Sequence, residues 1–254
     1  GTCSVCRAKC CSGNRTPVPT IGDSSNEDSE SCTGPGEKKD YGGRLQSIAS
    51  KVLMKVLYGA RMARPDLLKA VGRLATKVTK WTPQCDADLH RLMQDIETTW
   101  DHKLVGWCND KLEDLELVLF ADADFASESD AKSTSGVFME IQGPDTRFML
   151  TAVSKKQTCV SHSTPEAEIV AADFALRAEG LPALIIWDRI MGREMKVKFY
   201  EDNETMIAVV RSGKNPTMRH LQRTHRVSSA WMYERFKERW HQLEYILTDY
   251  QAAE

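Results

Sequence analysis

The chain has 254 residues, of which 41% are hydrophobic, and its formal net charge is -2 at pH 7. This length fits one or two domains with a substantial apolar core, and the near-neutral charge means that nucleic-acid binding would have to come from local basic patches. The sequence has no apolar run long enough for a membrane helix and no signal-peptide pattern, so we expect no membrane contact and an intracellular location, cytoplasmic or nuclear. Because the chain begins at Gly1 rather than Met, we also expect a piece of a longer protein.

Residues 1–40 are predicted to form a disordered linker. From Asp23 to Asp40 there are six acids, two lysines and almost no apolar side chains, a composition that cannot offset the entropy lost on ordering. Four cysteines stand near the start of the chain: Cys3, Cys6, Cys10 and Cys11. A C-x2-C pair can give two thiolates to zinc. The spacing is irregular and no second pair follows, so zinc ligands and free thiols both remain open, with free thiols the simpler interpretation.

Residues 41–110 show the apolar spacing of helices. The pattern predicts one helix over Leu45–Ala60, a second that starts at Pro65, and a third that follows Thr82-Pro83, because proline is favoured in the first helical turn. A short strand-like piece, Leu104–Trp107, ends this helical segment.

The helical segment is locally basic. Between Tyr41 and Lys80 there are nine Lys or Arg residues and one acid. A solvated helix face is the plain interpretation, but such faces usually mix both signs. The bias therefore favours contact with a phosphate backbone, and the candidate residues are Arg61, Arg64, Lys69 and Arg73.

Residues 111–254 read as an α/β domain. The predicted strands are Leu115–Ala121, Gly136–Ile141, Arg147–Val153, Met195–Tyr200 and His241–Leu247. The first predicted helix of this domain has Thr164 as its N-cap and Pro165 at its first position. Further helices are predicted over Leu181–Met191, Thr205–Arg211 and Val227–Arg239, and a last helix is predicted to begin near Thr248.

Four acids stand at strand ends or predicted helix starts: Asp122, Glu168, Asp202 and Glu254. Carboxylates that converge on one sheet edge repel each other unless a cation lies between them. Hard oxygen ligands suit Mg²⁺ or Mn²⁺, and two such ions about 4 Å apart support phosphodiester hydrolysis. The alternative is structural, with Asp202-Asn203 as a helix cap and Glu168 as a first-turn acid that the helix dipole favours.

Six short motifs carry a family resemblance. They are FADADF at Phe120–Phe125, KSTSG at Lys132–Gly136, SKKQ at Ser154–Gln157, STPEAE at Ser163–Glu168, EDN at Glu201–Asn203 and RTH at Arg223–His225. Their residues and order resemble the ribonuclease H domain of Ty1/copia-type retrotransposon polyproteins. The resemblance implies a ribonuclease H-like fold, a mixed five-stranded sheet flanked by helices. It also implies cleavage of the RNA strand of an RNA–DNA hybrid with two divalent ions, Mg²⁺ or Mn²⁺.

The same resemblance implies roles for individual residues. Asp122, Glu168 and Asp202 match the family's metal ligands, and Asp124 matches a supporting acid. Glu168, rather than Glu166, falls on the helix ligand. The family's fourth acid is usually Asp in a Gln-x-Ala-Asp pattern, whereas this chain has Glu254 there. A longer acid changes the geometry, so the catalytic set is Asp122, Glu168, Asp202 and Glu254 with a departure at its last member.

The resemblance also extends upstream. TPVPT at Thr16–Thr20 and ARPDL at Ala63–Leu67 are similar to the end of a reverse transcriptase and its connection to ribonuclease H. The polymerase's Tyr-x-Asp-Asp motif is absent from this sequence, so the expected partner is a polymerase palm in the longer polyprotein. Two other functions compete: a domesticated or inactive remnant that binds nucleic acid without cleaving it, and a scaffold subunit of an assembly.

A second basic stretch lies near the C-terminal end. Between Arg211 and Arg239 there are eight Lys or Arg residues and two acids, which makes Arg223 and Arg226 candidates for backbone contact. His225 is a candidate supporting residue. Either His220 or His225 could transfer a proton during product release, or both could be solvated loop residues.

Overall fold

The computed structural model describes residues 42–126, 130–214 and 218–253. The predicted linker 1–40 and its cysteine cluster lie outside the described residues. From residue 42 onward the chain forms one compact unit. In the described part, no helix has the length and apolar character needed to cross a bilayer.

Five strands form one mixed sheet. They are β1 (Glu116–Asp124), β2 (Thr134–Gln142), β3 (Arg147–Lys156), β4 (Val197–Glu201) and β5 (His241–Tyr245). The order across the sheet is β3-β2-β1-β4-β5. The first three strands are antiparallel, whereas β4 is parallel to both β1 and β5. This is the mixed five-stranded sheet of the ribonuclease H-like fold, and the predicted fold class is confirmed.

Eight helices surround the sheet in the described part of the chain. They are α1 (Gln46–Ala63), α2 (Leu68–Ala75), α3 (Pro83–Thr98), α4 (Thr164–Ala175), α5 (Leu181–Met191), α6 (Glu204–Ser212), α7 (Leu221–Thr224) and α8 (Ser229–Lys237). A π-helical turn, Leu176–Gly180, joins α4 to α5. Gly192, at φ 64°, ends α5 in the left-handed conformation that glycine adopts without strain.

The two faces of the sheet bury different helices. Val137 and Met139 of β2 point into a large core with α4, α5, α6 and α8. Phe138 of β2 and Ala152 of β3 lie on the other face, in a second core with α1, α2 and α3. Because side chains alternate along a strand, the helical segment and the C-terminal helices cover opposite faces of one sheet.

Most predicted elements are present with shifted ends. Ser163, not Thr164, is the N-cap of α4, which places Pro165 at the second helical position. Residues Thr248–Tyr250 form a single 3-10 turn rather than the start of a last helix. Of the predicted piece Leu104–Trp107, only Trp107 pairs with the sheet, through a bridge to Arg147. The boundary between segments 41–110 and 111–254 stays a prediction.

Candidate metal centre

Three carboxylates meet at one edge of the sheet. Asp122, Glu168 and Asp202 each offer an oxygen, and these atoms all lie within 4.8 Å of one another. Phe120 of β1 lies opposite Tyr200 of β4 in a parallel ladder. Asp122 and Asp202 each follow two residues later, so the strand pairing brings them side by side.

Helix α4 brings the third acid across the end of β1. The helix begins at Thr164, and Glu168 lies in its second turn, so the expectation of a first-turn acid was wrong for Glu168; Glu166 is the acid of the first turn. The alternative interpretation of Asp202-Asn203 as a helix cap holds for Asn203 only. The side chain of Asn203 caps α6 by accepting a 3.0 Å hydrogen bond from the Met206 N–H, which leaves Asp202 outside the cap.

Glu168 lies in an environment that disfavours its charge. Its side chain is buried, and burial, followed by the charges of Asp122 and Asp202, raises its pKa to about 9. The N–H of Ala123 donates a hydrogen bond that only partly opposes this rise in pKa. Oε2 is buried and has no hydrogen-bond partner among the described residues. An unpaired buried oxygen beside two more carboxylates fits a hard divalent cation, which would stabilise the ionised form.

Another buried carboxyl group, which the sequence did not identify as part of the site, lies beside the cluster. Glu201 is fully buried at the end of β4, on the same side as Val197 and Phe199. Its pKa is raised well above the usual range, first by burial and then by the charge of Glu168. The sequence gives only a weak indication that Glu201 is buried, because an acid next to Asp202 in the EDN motif is typical of a solvated turn.

Asp124 stands apart from the three acids. It follows Asp122 by two residues at the end of β1, but it forms an ion pair with Lys69 of α2, at 3.0 Å. Lys69 remains well exposed while it makes this contact. The ion pair gives Asp124 a role outside the cluster and links the helical segment to the strand that carries Asp122.

The last described residues lie against the same end of β1. Nε2 of Gln251 donates a 2.9 Å hydrogen bond to the carbonyl oxygen of Ala121. The backbone of Ala253 packs so closely on Gly136 that a Cβ there would collide with it. Gly136 is the cross-strand partner of Asp122. Glu254, the predicted fourth ligand, lies outside the described residues.

Arg64, one of the predicted backbone-binding cations, is engaged within the protein. It forms hydrogen bonds with Asp66 and with the backbone and side chain of Thr99, and its side chain is 15% exposed. Four other predicted cations, Arg61, Arg73, Arg223 and Arg226, are exposed.

Glu166, two residues before Glu168, contacts histidines instead of the acidic cluster. Oε1 of Glu166 lies 3.1 Å from Nε2 of His220 and 3.0 Å from Nε2 of His225. The side chain of His225 is 2% exposed, so the expectation of a solvated loop residue was wrong for His225. His220 is partly exposed.

No family model matches the chain. Among solved structures, it is similar to LC11-RNase H1, isolated from compost by a metagenomic approach, with 16% identity and a TM-score of 0.32 over 54% of this chain and 88% of that one. It is also similar to the prototype foamy virus protease-reverse transcriptase, with 12% identity and a TM-score of 0.32 over 57% of this chain. The matched part spans only 19% of the foamy virus chain. Likenesses this distant add nothing to what the topology shows.

Proposed function

We propose that this chain is the ribonuclease H domain and upstream connection of a Ty1/copia-type retrotransposon polyprotein, and that it cleaves the RNA strand of RNA–DNA hybrids. The observation that carries this proposal is the convergence of Asp122, Glu168 and Asp202 at one edge of a ribonuclease H-like sheet. An all-carboxylate set favours Mg²⁺ or Mn²⁺ over softer metals.

The chain's own residues would hold two such ions and orient the hybrid. When bound, the ions supply an activated water and stabilise the leaving oxygen of the phosphodiester. Asp122 and Asp202 extend from paired strands, so their spacing is set by the β1–β4 ladder. Glu168 is directed at them by α4 and by the Ala123 N–H. We propose Glu254 as the fourth carboxylate, since the residues just before it lie against β1 and β2.

Exposed cations on two parts of the surface support contact with the hybrid's backbone. Arg61 and Arg73 lie on the helical segment with Lys69, and Arg223 and Arg226 lie beyond α6. Phosphate contacts by such residues position a duplex without reading its sequence. In the longer polyprotein, a polymerase palm would be the neighbouring domain.

The test is cleavage of a labelled RNA–DNA hybrid with Mg²⁺ or Mn²⁺. Asp122→Asn and Asp202→Asn should each lower the rate roughly 100-fold or more, because ligands that act as a unit lose most activity when one is removed. Asp101→Asn, at an exposed acid beyond α3, is the matched control and should retain the wild-type rate. Equal rates for wild type and Asp122→Asn would refute metal-dependent cleavage at this site.

A second candidate is hybrid binding without cleavage. The exposed cations favour it, because they lie on elements that do not depend on a bound metal, and so does Glu254 in place of the family's Asp. In that case the hybrid would bind with a steep salt dependence. Neither divalent ion would then produce cleavage, and Asp122→Asn would bind like wild type.

A further inference from the structure

One buried carboxylate ties a distant loop to helix α4. Oε1 of Glu166 forms a 3.1 Å hydrogen bond with Nε2 of His220, and Nε2 of His225 approaches the same oxygen to 3.0 Å without hydrogen-bond alignment. Oε2 accepts a 3.0 Å hydrogen bond from the backbone N–H of His162. Glu166 is 1% exposed, so these contacts replace the water that a carboxylate otherwise needs.

The tied loop presents arginines on its outer side. We call residues 218–226 the arginine loop. Leu221 and His225, four residues apart, point inward and are buried at their side chains. Arg219 and Arg223, also four residues apart, are exposed, as expected for the opposite face of a helical turn. Arg226 follows with a φ of 59°, a conformation that non-glycine residues rarely adopt.

The three arginines of this loop are not neutralised within the described structure. None of Arg219, Arg223 and Arg226 has an ion pair or hydrogen bond through its guanidinium to any residue in the described ranges. Exposed guanidinium groups without carboxylate partners suit the phosphates of a nucleic-acid backbone.

The first turn of α4 does not need the histidine contacts for its own stability. The His162 N–H alone gives Glu166 the contact of an acid near a helix start. His220 lies 54 residues further along the chain, and its contact orders the loop rather than the helix. Glu168 follows Glu166 by two residues and lies on a different face of α4, so the loop rests on the helix that carries a proposed metal ligand.

We propose that Glu166 is a positioning residue: through His220 and His225 it fixes the arginine loop on helix α4, and the arginines of the loop bind the phosphate backbone of the hybrid. This inference rests on the proposed substrate, the RNA–DNA hybrid, but not on cleavage. Glu166 touches no reacting atom in this scheme and acts through the loop.

The test is binding of a fluorescently labelled RNA–DNA hybrid to the full chain in EDTA, measured over a series of salt concentrations. Arg223→Ala/Arg226→Ala should reduce the salt slope of log Kd by about 2, since each phosphate contact contributes about 0.9. Glu166→Ala should reduce the slope by at least about 1 and weaken binding several-fold at low salt, because the loop is released. Glu166→Gln retains an oxygen for one imidazole and should lie between Glu166→Ala and wild type.

Two further comparisons separate positioning from general stability. Adding Glu166→Ala to a variant that already lacks all three loop arginines, Arg219→Ala/Arg223→Ala/Arg226→Ala, should change the slope no further. Glu234→Ala, which removes an exposed acid of α8, is the control for lost negative charge and should not reduce the slope. His220→Ala, at a partly exposed side chain, replaces Glu166→Ala if that variant does not fold, with the same expected direction.

A lowered melting temperature with a wild-type salt slope in Glu166→Ala or His220→Ala would overturn the proposal and leave a purely structural ion pair. The two proposals fail separately. A wild-type chain that binds but never cleaves, with a reduced slope in Glu166→Ala, supports the positioning role and refutes the nuclease. Normal cleavage with an unchanged slope refutes the positioning role alone.

Discussion

The hydroxyl of Thr248 donates a 2.8 Å hydrogen bond to Oδ2 of Asp202. Thr248 begins the 3-10 turn after β5, so an element late in the chain orients a carboxylate at the end of β4. Hydrogen bonds to ligand carboxylates fix their direction and typically contribute 10- to 100-fold to metal affinity or activity.

Thr248→Val should therefore weaken metal binding at the proposed site without unfolding the chain. Because the Asp202 hydrogen bond is solvent-exposed, we expect an effect at the lower end of that range. The Mn²⁺ concentration needed for half-maximal cleavage should rise about 10-fold. Thr248→Ser keeps the hydroxyl and should resemble wild type. An equal loss in both variants would show that the hydrogen bond is not responsible.

Glu168 should make stability depend on pH when no divalent ion is present. Its pKa in the folded chain is raised to about 9, above the ordinary value of 4.5. Between these values the unfolded chain releases the proton and the folded chain keeps it, so the free energy of unfolding should fall as pH rises. The slope is at most about 1.4 kcal/mol per pH unit for one group.

Urea unfolding in EDTA at pH 5, 7 and 9 measures this dependence. Glu168→Gln should reduce this slope, leave the part that comes from Glu201, and be more stable than wild type at pH 7. Glu97→Gln, at an exposed site on α3, should keep the wild-type slope. Added Mn²⁺ should raise the stability of wild type more than that of Glu168→Gln. A wild-type slope in Glu168→Gln would contradict the burial of an uncompensated carboxyl.

Gly136→Ala should displace the end of the chain from the sheet. A Cβ at this position would collide with the backbone of Ala253, and the hydrogen bond from Gln251 to Ala121 would be lost with it. We expect about 1–3 kcal/mol lower stability, the usual cost of overpacking, together with reduced cleavage. Melting curves and hybrid cleavage give the two readouts.

The matched control for Gly136→Ala is Gly59→Ala. Gly59 lies in α1, and no atom comes within 4 Å of a Cβ placed there. Alanine should therefore stabilise the helix by about 0.5–1 kcal/mol. If Gly136→Ala also proved neutral or stabilising, the close packing of the last residues on β2 would be wrong.

Arg64 and Arg61 should differ although both are cations at the end of α1. Arg64→Ala removes hydrogen bonds to Asp66 and Thr99 and should lower the free energy of unfolding by about 1–3 kcal/mol. Its effect on the salt dependence of hybrid binding should be small, whereas exposed Arg61→Ala should reduce the salt slope with little change in stability. If Arg64→Ala reduced the salt slope and Arg61→Ala did not, Arg64 rather than Arg61 would be the residue that contacts the phosphate backbone.

The acidic end of β1 could be predicted from the sequence, because a short apolar run that ends in acids is typical of a buried strand leading into a polar site. The position of Glu168 could not be predicted from periodicity, since four successive residues of α4, Glu166–Ile169, are all buried and no face is marked as exposed. The family motif selected Glu168 over Glu166, and the structure brings Glu168 to Asp122 and Asp202.

Long-range pairs account for what the sequence did not reveal. The burial of His225 depends on Glu166, which belongs to another element far along the chain. Glu201 is buried near Glu168 of α4, an element distant in the sequence, and local polarity suggests a solvated turn instead. Neither relationship leaves a trace in hydrophobic spacing, because spacing reports only which face of an element is covered.

The second core has a practical consequence for anyone who shortens this chain. Phe138, Met149 and Ala152 of the sheet are covered by α1, α2 and α3. A chain cut at residue 111 would retain all five strands and the three clustered acids, yet its β2–β3 surface would meet water with apolar side chains exposed. Such a fragment would be prone to self-association, and its failure in a nuclease assay would reflect the missing cover rather than the chemistry of the acids.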